Sequence, residues 1–370
     1  MTSKTEILLF GATGYIGGSV LNRLLSHPKA DTFSITATVR SPEKAKLLEK
    51  LGVKAEIASL SDFDKIEELA SRAHVIFNVA NSDDLPAINA LLKGVRKAYE
   101  TTGELPILIH TSGTGEIAEA ANGEYAAETV YSDLNVEQLK AIPETAFHRK
   151  VSLAVIGADE QGYTRSYIMI PGMIDGLASG PVFEAGIANP LSIQIPALIK
   201  QALDRNRAGM IGPGKAVWSI INIEDTVDMY IALFDAISAD PQSVGHGWEG
   251  YYFGVSDHVS FYEIGQAIGQ ALVDLGLAKD AEPTTFTDEE LLKHWGSVLA
   301  GKYGGTTCRC RADRALAMGW KPKYATKDLL LAGIKPEVEY EFKRAQENGG
   351  VDFTKQRKHG LLLKSVLESN

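Results

Sequence analysis

Three glycines near the start of the chain restrict its fold more than any other feature. Gly11, Gly14 and Gly17 follow the apolar run Ile7–Phe10 and open a segment, 15–26, whose apolar residues recur with helical spacing. In such a strand–loop–helix unit the first glycine permits a tight turn, the second leaves room for a phosphate, and the third allows close packing. The free amides and the positive dipole end of the helix attract that phosphate. The loop therefore predicts a dinucleotide site with contacts from Gly11, Thr13, Gly14, Tyr15, Ile16 and Gly17.

Strands and helices alternate through the first half of the chain. The predicted strands are Ile7–Phe10, Phe33–Val39, Val53–Ala58, Val75–Val79, Ile107–Thr111 and Tyr167–Ile170. The helical segments between them imply crossover connections and a parallel sheet covered on both faces. The second half is less regular and rich in helix.

These patterns predict an α/β fold: a Rossmann-type doubly wound parallel sheet with a smaller, mixed, helix-rich C-terminal substrate domain. Residues 1–170 plus 213–258 are expected to form the nucleotide-binding domain. Residues 171–212 plus 259–345 are expected to form the substrate domain, and residues 346–370 a peripheral C-terminal segment.

Charge and cysteine content exclude several kinds of partner. The formal net charge is −10 and no cluster of basic residues occurs, so neither nucleic acid nor an anionic membrane is an expected partner. Cys308 and Cys310 are too few for a zinc site and too close for an unstrained disulfide, which predicts no metal and two reduced thiols. No signal peptide or membrane-spanning apolar run is visible. We expect a soluble, cytoplasmic protein with a small-molecule substrate; a homodimer is left open.

Arg40 bears on the choice of nucleotide. It ends the second predicted strand, where NAD-binding units carry an acidic residue for the ribose 2′-hydroxyl. A guanidinium there matches a 2′-phosphate instead, with Ser41 and Lys44 placed to assist. The alternative is an ordinary solvated arginine. The position favours NADP(H) over NAD(H).

Several further segments share a pattern with one superfamily. The chain resembles the extended short-chain dehydrogenase/reductases, and within them the atypical, NmrA-like or epimerase-like fungal members. The segments that carry the resemblance are Gly11–Gly17, Leu60–Asp62, Asn78–Asn81, His110–Thr114, Ile170–Gly176, Trp218–Asp225, Arg311–Asp313 and Gly319–Pro322. The resemblance implies a substrate cleft between the two domains, and cofactor contacts at Ser59, Leu60, Val79, Ala80, Asn81, Thr111, Pro171, Gly172 and Met173.

The sequence departs from this superfamily at the Tyr-x-x-x-Lys pair that most members use for proton transfer. None of the 13 tyrosines is followed by a lysine four residues later. His148 or Lys150 falls near the expected lysine position, so His148 could relay protons and Lys150 could hold the nicotinamide ribose. Ser112 and Thr114 could bind a substrate carbonyl. Both pairs could equally be surface or capping residues, and a phenol could come from Tyr125, Tyr131 or Tyr163.

Three functions fit these observations. The first is an NADP(H)-dependent oxidoreductase for a small carbonyl, alkene or imine, since hydride transfer needs placement of the cofactor more than any one side chain. The second is a non-catalytic NADP(H)-binding redox sensor of the NmrA type, with a regulatory protein partner. The third, a sugar-nucleotide epimerase or dehydratase, is disfavoured by the missing Tyr–Lys pair.

Overall fold

The fold is built on one seven-stranded sheet. The computed structural model describes residues 4–368. Its strands are β1 (Thr5–Phe10), β2 (Phe33–Val39), β3 (Lys54–Ile57), β4 (Val75–Asn78), β5 (Ile107–Thr111), β6 (Tyr131–Ser132), β7 (Arg165–Pro171), β8 (Met173–Asp175), β9 (Gly209–Met210), β10 (Val217–Asn222), β11 (Tyr251–Gly254), β12 (Asp257–Ser260), β13 (Thr284–Thr285) and β14 (Cys310–Arg311).

Helices connect these strands and build most of the C-terminal part. They are α1 (Tyr15–Leu25), α2 (Pro42–Lys50), α3 (Phe63–Ala70), α4 (Leu85–Thr102), α5 (Val136–Lys140), α6 (Arg149–Glu160), α7 (Pro181–Glu184), α8 (Gln194–Arg205), α9 (Ile223–Ala239), α10 (Phe261–Asp274), α11 (Asp288–Trp295), α12 (Val298–Lys302), α13 (Asp313–Ala317), α14 (Lys327–Ala332), α15 (Ile334–Glu347) and α16 (Thr354–Glu368).

The seven main strands are parallel and follow the order β3-β2-β1-β4-β5-β7-β11. The order reverses beside β1, so the connections leave in opposite directions from this point and helices cover both faces. The strands β4 and β7 are buried along nearly their whole length, whereas β2 alternates buried and half-buried residues. This confirms the predicted Rossmann-type doubly wound sheet.

Two helix starts show how side chains cap or fail to cap the backbone. Ser41 Oγ accepts a hydrogen bond from the Lys44 amide and begins α2. Asp62 directly precedes α3, but its side chain accepts from the Ser59 amide. A carboxylate that binds the preceding turn is not available to the helix that follows.

A second, three-stranded sheet has the order β12-β10-β8. It lies against the main sheet where Gly172 meets β10, since a Cβ atom at Gly172 would lie 2.3 Å from the Ser219 carbonyl oxygen. The segment 213–258, expected in the nucleotide-binding domain, is therefore divided. Its strand β11 extends the main sheet, whereas β10 belongs to the second sheet.

The C-terminal helix α16 packs against α11 and α12. A Cβ atom at Gly360 would lie 2.2 Å from the Trp295 carbonyl oxygen, so α16 closely approaches the end of α11. Phe353, just before α16, packs against the His294 ring with centroids 4.6 Å apart and the ring planes tilted by 34°. Along residues 4–368, no helix is both long enough and apolar enough to cross a membrane.

Candidate cofactor and active site

The fold brings most of the predicted site segments to one edge of the main sheet. The strands are parallel, so their carboxyl ends lie together, and ligands of such sheets bind at this edge near the point where the strand order reverses. The segments that follow these strand ends are Gly11–Gly17 after β1, Arg40–Lys44 after β2, Ser59–Leu60 after β3, Val79–Asn81 after β4, Ser112–Thr114 after β5 and Pro171–Met173 after β7.

The glycine loop has the backbone that its spacing predicts. Gly11 adopts a left-handed conformation with φ of +91°, and a Cβ atom there would lie 2.4 Å from the Val79 carbonyl oxygen. A Cβ atom at Gly17 would lie 2.2 Å from the Gly11 carbonyl oxygen. Gly14 precedes α1, and no side chain caps that helix. The first amides of α1 therefore remain available to a phosphate.

Tyr15 and Thr13 connect this loop to the segment between β8 and α8. The Tyr15 hydroxyl lies 3.0 Å from the Asp175 carbonyl oxygen and 2.5 Å from that of Gly176. The Thr13 carbonyl accepts from the Asn189 amide at 3.3 Å. Burial raises the pKa of Tyr15 well above its usual value, with the nearby Glu337 adding to the shift. The Tyr15 side chain thus anchors the loop, while Ile16 is half-buried beside it.

Arg40 is exposed at the end of β2. Lys44, one turn into α2, donates to the Ile187 carbonyl at 2.6 Å, and burial together with the charges of Lys355 and Arg40 lowers its pKa. The positive charges of Arg40, Lys44 and Lys355 lie close enough to shift the pKa of Lys44, and an anion bound between them would offset their repulsion. The Ser41 hydroxyl oxygen already accepts a hydrogen bond from the Lys44 amide, and its hydroxyl hydrogen is left to donate to a phosphate.

The other predicted cofactor contacts differ in accessibility. Ser59 and Leu60 are half-buried, and Ala80 and Asn81 are exposed beyond the buried Val79. Pro171 is buried and the Gly172 amide donates to the Gly254 carbonyl at 2.9 Å. Met173 is fully buried and pairs with Ile220 in the second sheet. Its side chain belongs to the core, so a direct cofactor contact by Met173 is not supported.

Ser112 takes part in a buried polar network. Its hydroxyl donates to Glu116 at 3.1 Å, and Glu116 forms a 2.8 Å ion pair with Arg149 in which both side chains are almost fully buried. Arg149 also donates to the Tyr251 hydroxyl and the Leu139 carbonyl, both at 2.8 Å. The Ser112 hydroxyl proton is already donated to Glu116, so it is not free to bind a substrate carbonyl while this bond is intact. A buried carboxylate needs such hydrogen-bond donors, which gives Ser112 a structural role.

Thr111 and Thr114 are likewise enclosed. The Thr111 hydroxyl lies 2.6 Å from the Tyr230 hydroxyl, on the face of the sheet covered by α9. Thr114 is 1% exposed, and its buried hydroxyl oxygen has no hydrogen-bond partner within residues 4–368. Burial raises the pKa of the Cys308 thiol to about 12. Both cysteines are free and buried.

His148 directly precedes α6 with a left-handed backbone, at φ of +67°. Its Nδ1 lies 2.8 Å from Asp83 Oδ1 and 3.0 Å from Ser82 Oγ, in the loop before α4. Its Nε2 faces the loop after β5, because a Cβ atom at Gly113 would lie 3.3 Å from it. Lys150, the other candidate, is exposed on α6.

His110 is buried close to this pair. Its Nδ1 lies 3.0 Å from the Asn78 side-chain amide nitrogen. Burial, helped by the charge of His148, lowers the pKa of His110 to about 3. His110 is therefore neutral at physiological pH and does not exchange protons there.

The tyrosines proposed from sequence lie in other surroundings. Tyr125 is exposed and bonds the Ala120 carbonyl, Tyr131 lies in the short strand β6, and Tyr163 packs under the Arg96 guanidinium at 4.1 Å. Sequence reasoning missed Asp83 and Tyr303, which lie beside His148. Asp83 could have been identified from the sequence, because it follows the segment Asn78–Asn81 by two residues. Tyr303 lies far from every such segment, and no sequence motif marks it.

No group of three or more His, Cys, Asp or Glu side chains within residues 4–368 is arranged to hold a metal ion. The candidate site comprises the glycine loop, the basic residues after β2, and the pair formed by His148 and Asp83.

Comparisons with known proteins agree with this geometry. A model described as the NmrA-like family matches residues 3–153. The chain is 28% identical over 340 residues to Oxidase ucsJ from Acremonium sp., covering 87% of this chain and 93% of that protein. A shorter match, 37% identical over 82 residues, is to an NmrA-like family domain-containing protein from Dictyostelium discoideum and covers 21% of this chain and 26% of that one.

Solved structures share the fold at low identity. UDP-glucose 4-epimerase from Thermotoga maritima superposes with a TM-score of 0.61 at 15% identity, covering 92% of this chain and 99% of that chain. A dTDP-glucose 4,6-dehydratase from Bacillus anthracis, solved in complex with NAD, gives 0.58 at 13% identity, with 92% and 98% covered. Residues 3–153 therefore match the NmrA-like family model, and the chain as a whole shares the fold of these two enzymes.

Proposed function

We propose that the protein is an NADP(H)-dependent oxidoreductase that acts on a small carbonyl, alkene or imine compound. The observation that carries the proposal is the His148–Asp83 pair, which lies one strand away from an uncapped helix N-terminus of the dinucleotide-binding type. The similarity to a protein named an oxidase, over most of both chains, points to redox chemistry as well.

The residues present fit a nicotinamide dinucleotide. Side chains at Gly11 and Gly17 would collide with backbone, and the uncapped amides of α1 offer donors to a pyrophosphate. Arg40, with Lys44 close by, offers positive charge to a 2′-phosphate. A carboxylate that would repel this phosphate is absent from the segment Arg40–Pro42.

The chain itself contributes orientation and proton transfer. When bound, the cofactor would supply or accept a hydride. Asp83 holds the imidazole of His148 through Nδ1, so Nε2 points toward the loop after β5. An imidazole held in this way can donate or accept a proton at Nε2, a role that the Tyr–Lys pair absent here would otherwise fill.

Calorimetry and a turnover screen test the proposal together. We expect NADPH to bind the purified protein more tightly than NADH, and a panel of small aldehydes, ketones, enones and imines to contain substrates that oxidise NADPH. Absence of heat with every nicotinamide dinucleotide would contradict the proposal entirely. Tight NADPH binding without turnover across the panel would favour the redox sensor instead.

A further inference from the structure

A single peptide unit connects the C-terminal helix α15 to the first residue of α1. The Asp175 carbonyl oxygen of this unit accepts a hydrogen bond from the Tyr15 hydroxyl at 3.0 Å, and its Gly176 amide donates to Glu337 Oε1 at 2.6 Å. The Tyr15 hydroxyl also lies 2.5 Å from the Gly176 carbonyl oxygen. A peptide that accepts at its carbonyl and donates at its amide is polarised, which strengthens both hydrogen bonds.

Close packing surrounds this peptide unit. Gly176 adopts a left-handed backbone with φ of +98°, and a Cβ atom there would lie 2.8 Å from Asn222 Nδ2. A Cβ atom at Gly333, directly before α15, would lie 2.7 Å from Asp175 Oδ2. The start of α15 therefore lies directly against the segment that holds Tyr15. Groups packed this tightly transmit a displacement to their neighbours rather than absorb it.

The carboxyl groups in this arrangement are buried without a cation. Glu337 and Asp175 are fully buried, and neither forms an ion pair within residues 4–368. Glu341, one turn further along α15, is itself paired with Lys200 at 3.8 Å. Burial raises the pKa of Glu337 to about 7 and that of Asp175 well above its usual value. At pH 6 Glu337 is therefore mostly a neutral carboxylic acid, which a glutamine matches in shape and charge.

Tyr15 joins these hydrogen bonds to the candidate cofactor site. It is the first residue of α1, directly after Gly14, and no side chain caps the amides of this turn. Such amides bind a pyrophosphate only while they point at it together, because hydrogen bonds weaken steeply when they are misaligned. Through Asp175, the last residue of β8, the Tyr15 hydroxyl sets where this turn lies relative to the second sheet.

We propose that Glu337 is a positioning residue of the dinucleotide site, which holds the first turn of α1 in its binding geometry through Gly176 and Tyr15. It acts through the peptide unit and needs no contact with the cofactor itself. The inference rests on the proposed function for its ligand, a nicotinamide dinucleotide. It also makes cofactor affinity depend on α15, although most of the chain separates this helix from the glycine loop.

Glu337→Ala and Glu337→Gln test the acceptor of the Gly176 amide. Alanine removes this acceptor, so we expect calorimetry at pH 6 to show an NADPH affinity about 10-fold or more below that of the wild type. Glutamine keeps a neutral acceptor and should restore the affinity to within about threefold. Glu339→Ala, at an exposed position of the same helix, should leave the affinity unchanged. Wild-type affinity in folded Glu337→Ala would overturn the inference.

Tyr15→Phe tests the other end of the connection and leaves Glu337 in place. It keeps the ring and removes only the hydroxyl, so it serves as the test even if Glu337→Ala does not fold. We expect a similar loss of NADPH affinity, about 10-fold, and little further loss in the double variant with Glu337→Ala, because both changes break one connection. Wild-type affinity in Tyr15→Phe, or losses that add fully in the double variant, would contradict the inference. Tyr99→Phe, in the last turn of α4, is the control and should bind normally.

A measurement without cofactor distinguishes failure of this inference from failure of the proposed function. In the cofactor-free chain at pH 6, amide hydrogen exchange of the peptide spanning residues 11–24 should be faster in Glu337→Ala and Tyr15→Phe than in the wild type. Glu337→Gln should exchange as the wild type does. Unchanged exchange in the first two variants would disprove the role of Glu337. The expected exchange pattern in a chain that binds no nicotinamide dinucleotide would contradict the proposed function, with the connection from Glu337 to the glycine loop upheld.

Discussion

His148 Nδ1 lies 2.8 Å from Asp83 Oδ1, which links the residue before α6 to the loop before α4. A carboxylate only accepts hydrogen bonds, so Nδ1 carries the proton in this pair and Nε2 is directed away from Asp83. The pair orients the imidazole across the carboxyl ends of β4 and β5.

Asp83→Asn should therefore lower turnover without weakening the cofactor site. An amide cannot stabilise a charged imidazole, so we expect kcat to fall by about 10²-fold or more in a steady-state NADPH oxidation assay. The affinity for NADPH should not change. Asp84→Asn is the matched control, because Asp84 caps α4 by accepting from the Ala87 amide and asparagine caps equally well. Similar losses in both variants would contradict the role of Asp83.

Arg40→Asp should invert the nucleotide preference. The substitution places a negative charge where the 2′-phosphate is expected, beside the Lys44 ammonium group. We expect calorimetry to show a loss of about 10²-fold or more in NADPH affinity and a change of less than about threefold for NADH. Lys46→Asp makes the same change of charge at an exposed position of α2 and should spare the preference. An equal loss of affinity for both nucleotides after Arg40→Asp would show that Arg40 does not bind the 2′-phosphate of NADPH.

The sequence predicts the sheet better than the site. The β2 strand is found with the predicted bounds, Phe33–Val39. Its alternating β-branched residues indicate which side chains face the core, and the Ser-Pro pair that follows indicates where the strand ends. The strand β10 is also recognisable, yet its place in a second sheet is not. A buried apolar strand looks the same in either sheet, and its neighbours are decided by packing over long sequence distances.

The same limit applies to individual side chains. Ser112 follows β5 as the resemblance implies, but its hydroxyl bonds to Glu116 because Arg149, 37 residues later, is buried beside them. Tyr303 lies near His148 although it belongs to a short 3-10 helix, Tyr303–Gly305, in the C-terminal half. Contacts of this kind depend on how two parts of the chain fold together, and no local pattern encodes them.

Arg149→Met should destabilise the fold strongly. The change leaves the Glu116 carboxylate buried without its ion-pair partner, for which we expect a loss of about 3–5 kcal/mol in the free energy of unfolding by urea. Glu116→Leu combined with Arg149→Met removes both charges and should recover much of this loss. Arg311→Met, which breaks an exposed ion pair with Asp313, should cost no more than about 1 kcal/mol. A small effect of Arg149→Met would mean that water reaches the pair.

Glu337 makes stability depend on pH in the opposite sense to most carboxylates. It is fully buried on α15, accepts from the Gly176 amide at 2.6 Å, and burial raises its pKa from 4.5 to about 7. Between these two pKa values the folded state binds a proton that the unfolded state releases. The contribution of Glu337 to the free energy of unfolding is therefore complete below about pH 4.5 and is lost as the pH rises through about 7. The shift corresponds to roughly 3 kcal/mol.

Glu337→Gln should remove this contribution to the pH dependence. Glutamine keeps an acceptor for the Gly176 amide and carries no charge, so the free energy of unfolding by urea should change by a more positive amount from pH 5 to pH 8 in the variant than in the wild type. The difference between the two slopes isolates Glu337, because other buried groups such as Asp175, whose pKa burial also raises, titrate equally in both proteins. Glu339→Gln, exposed on the same helix, should retain the wild-type slope. Equal slopes for the wild type and Glu337→Gln would mean that Glu337 is ionised in the folded protein.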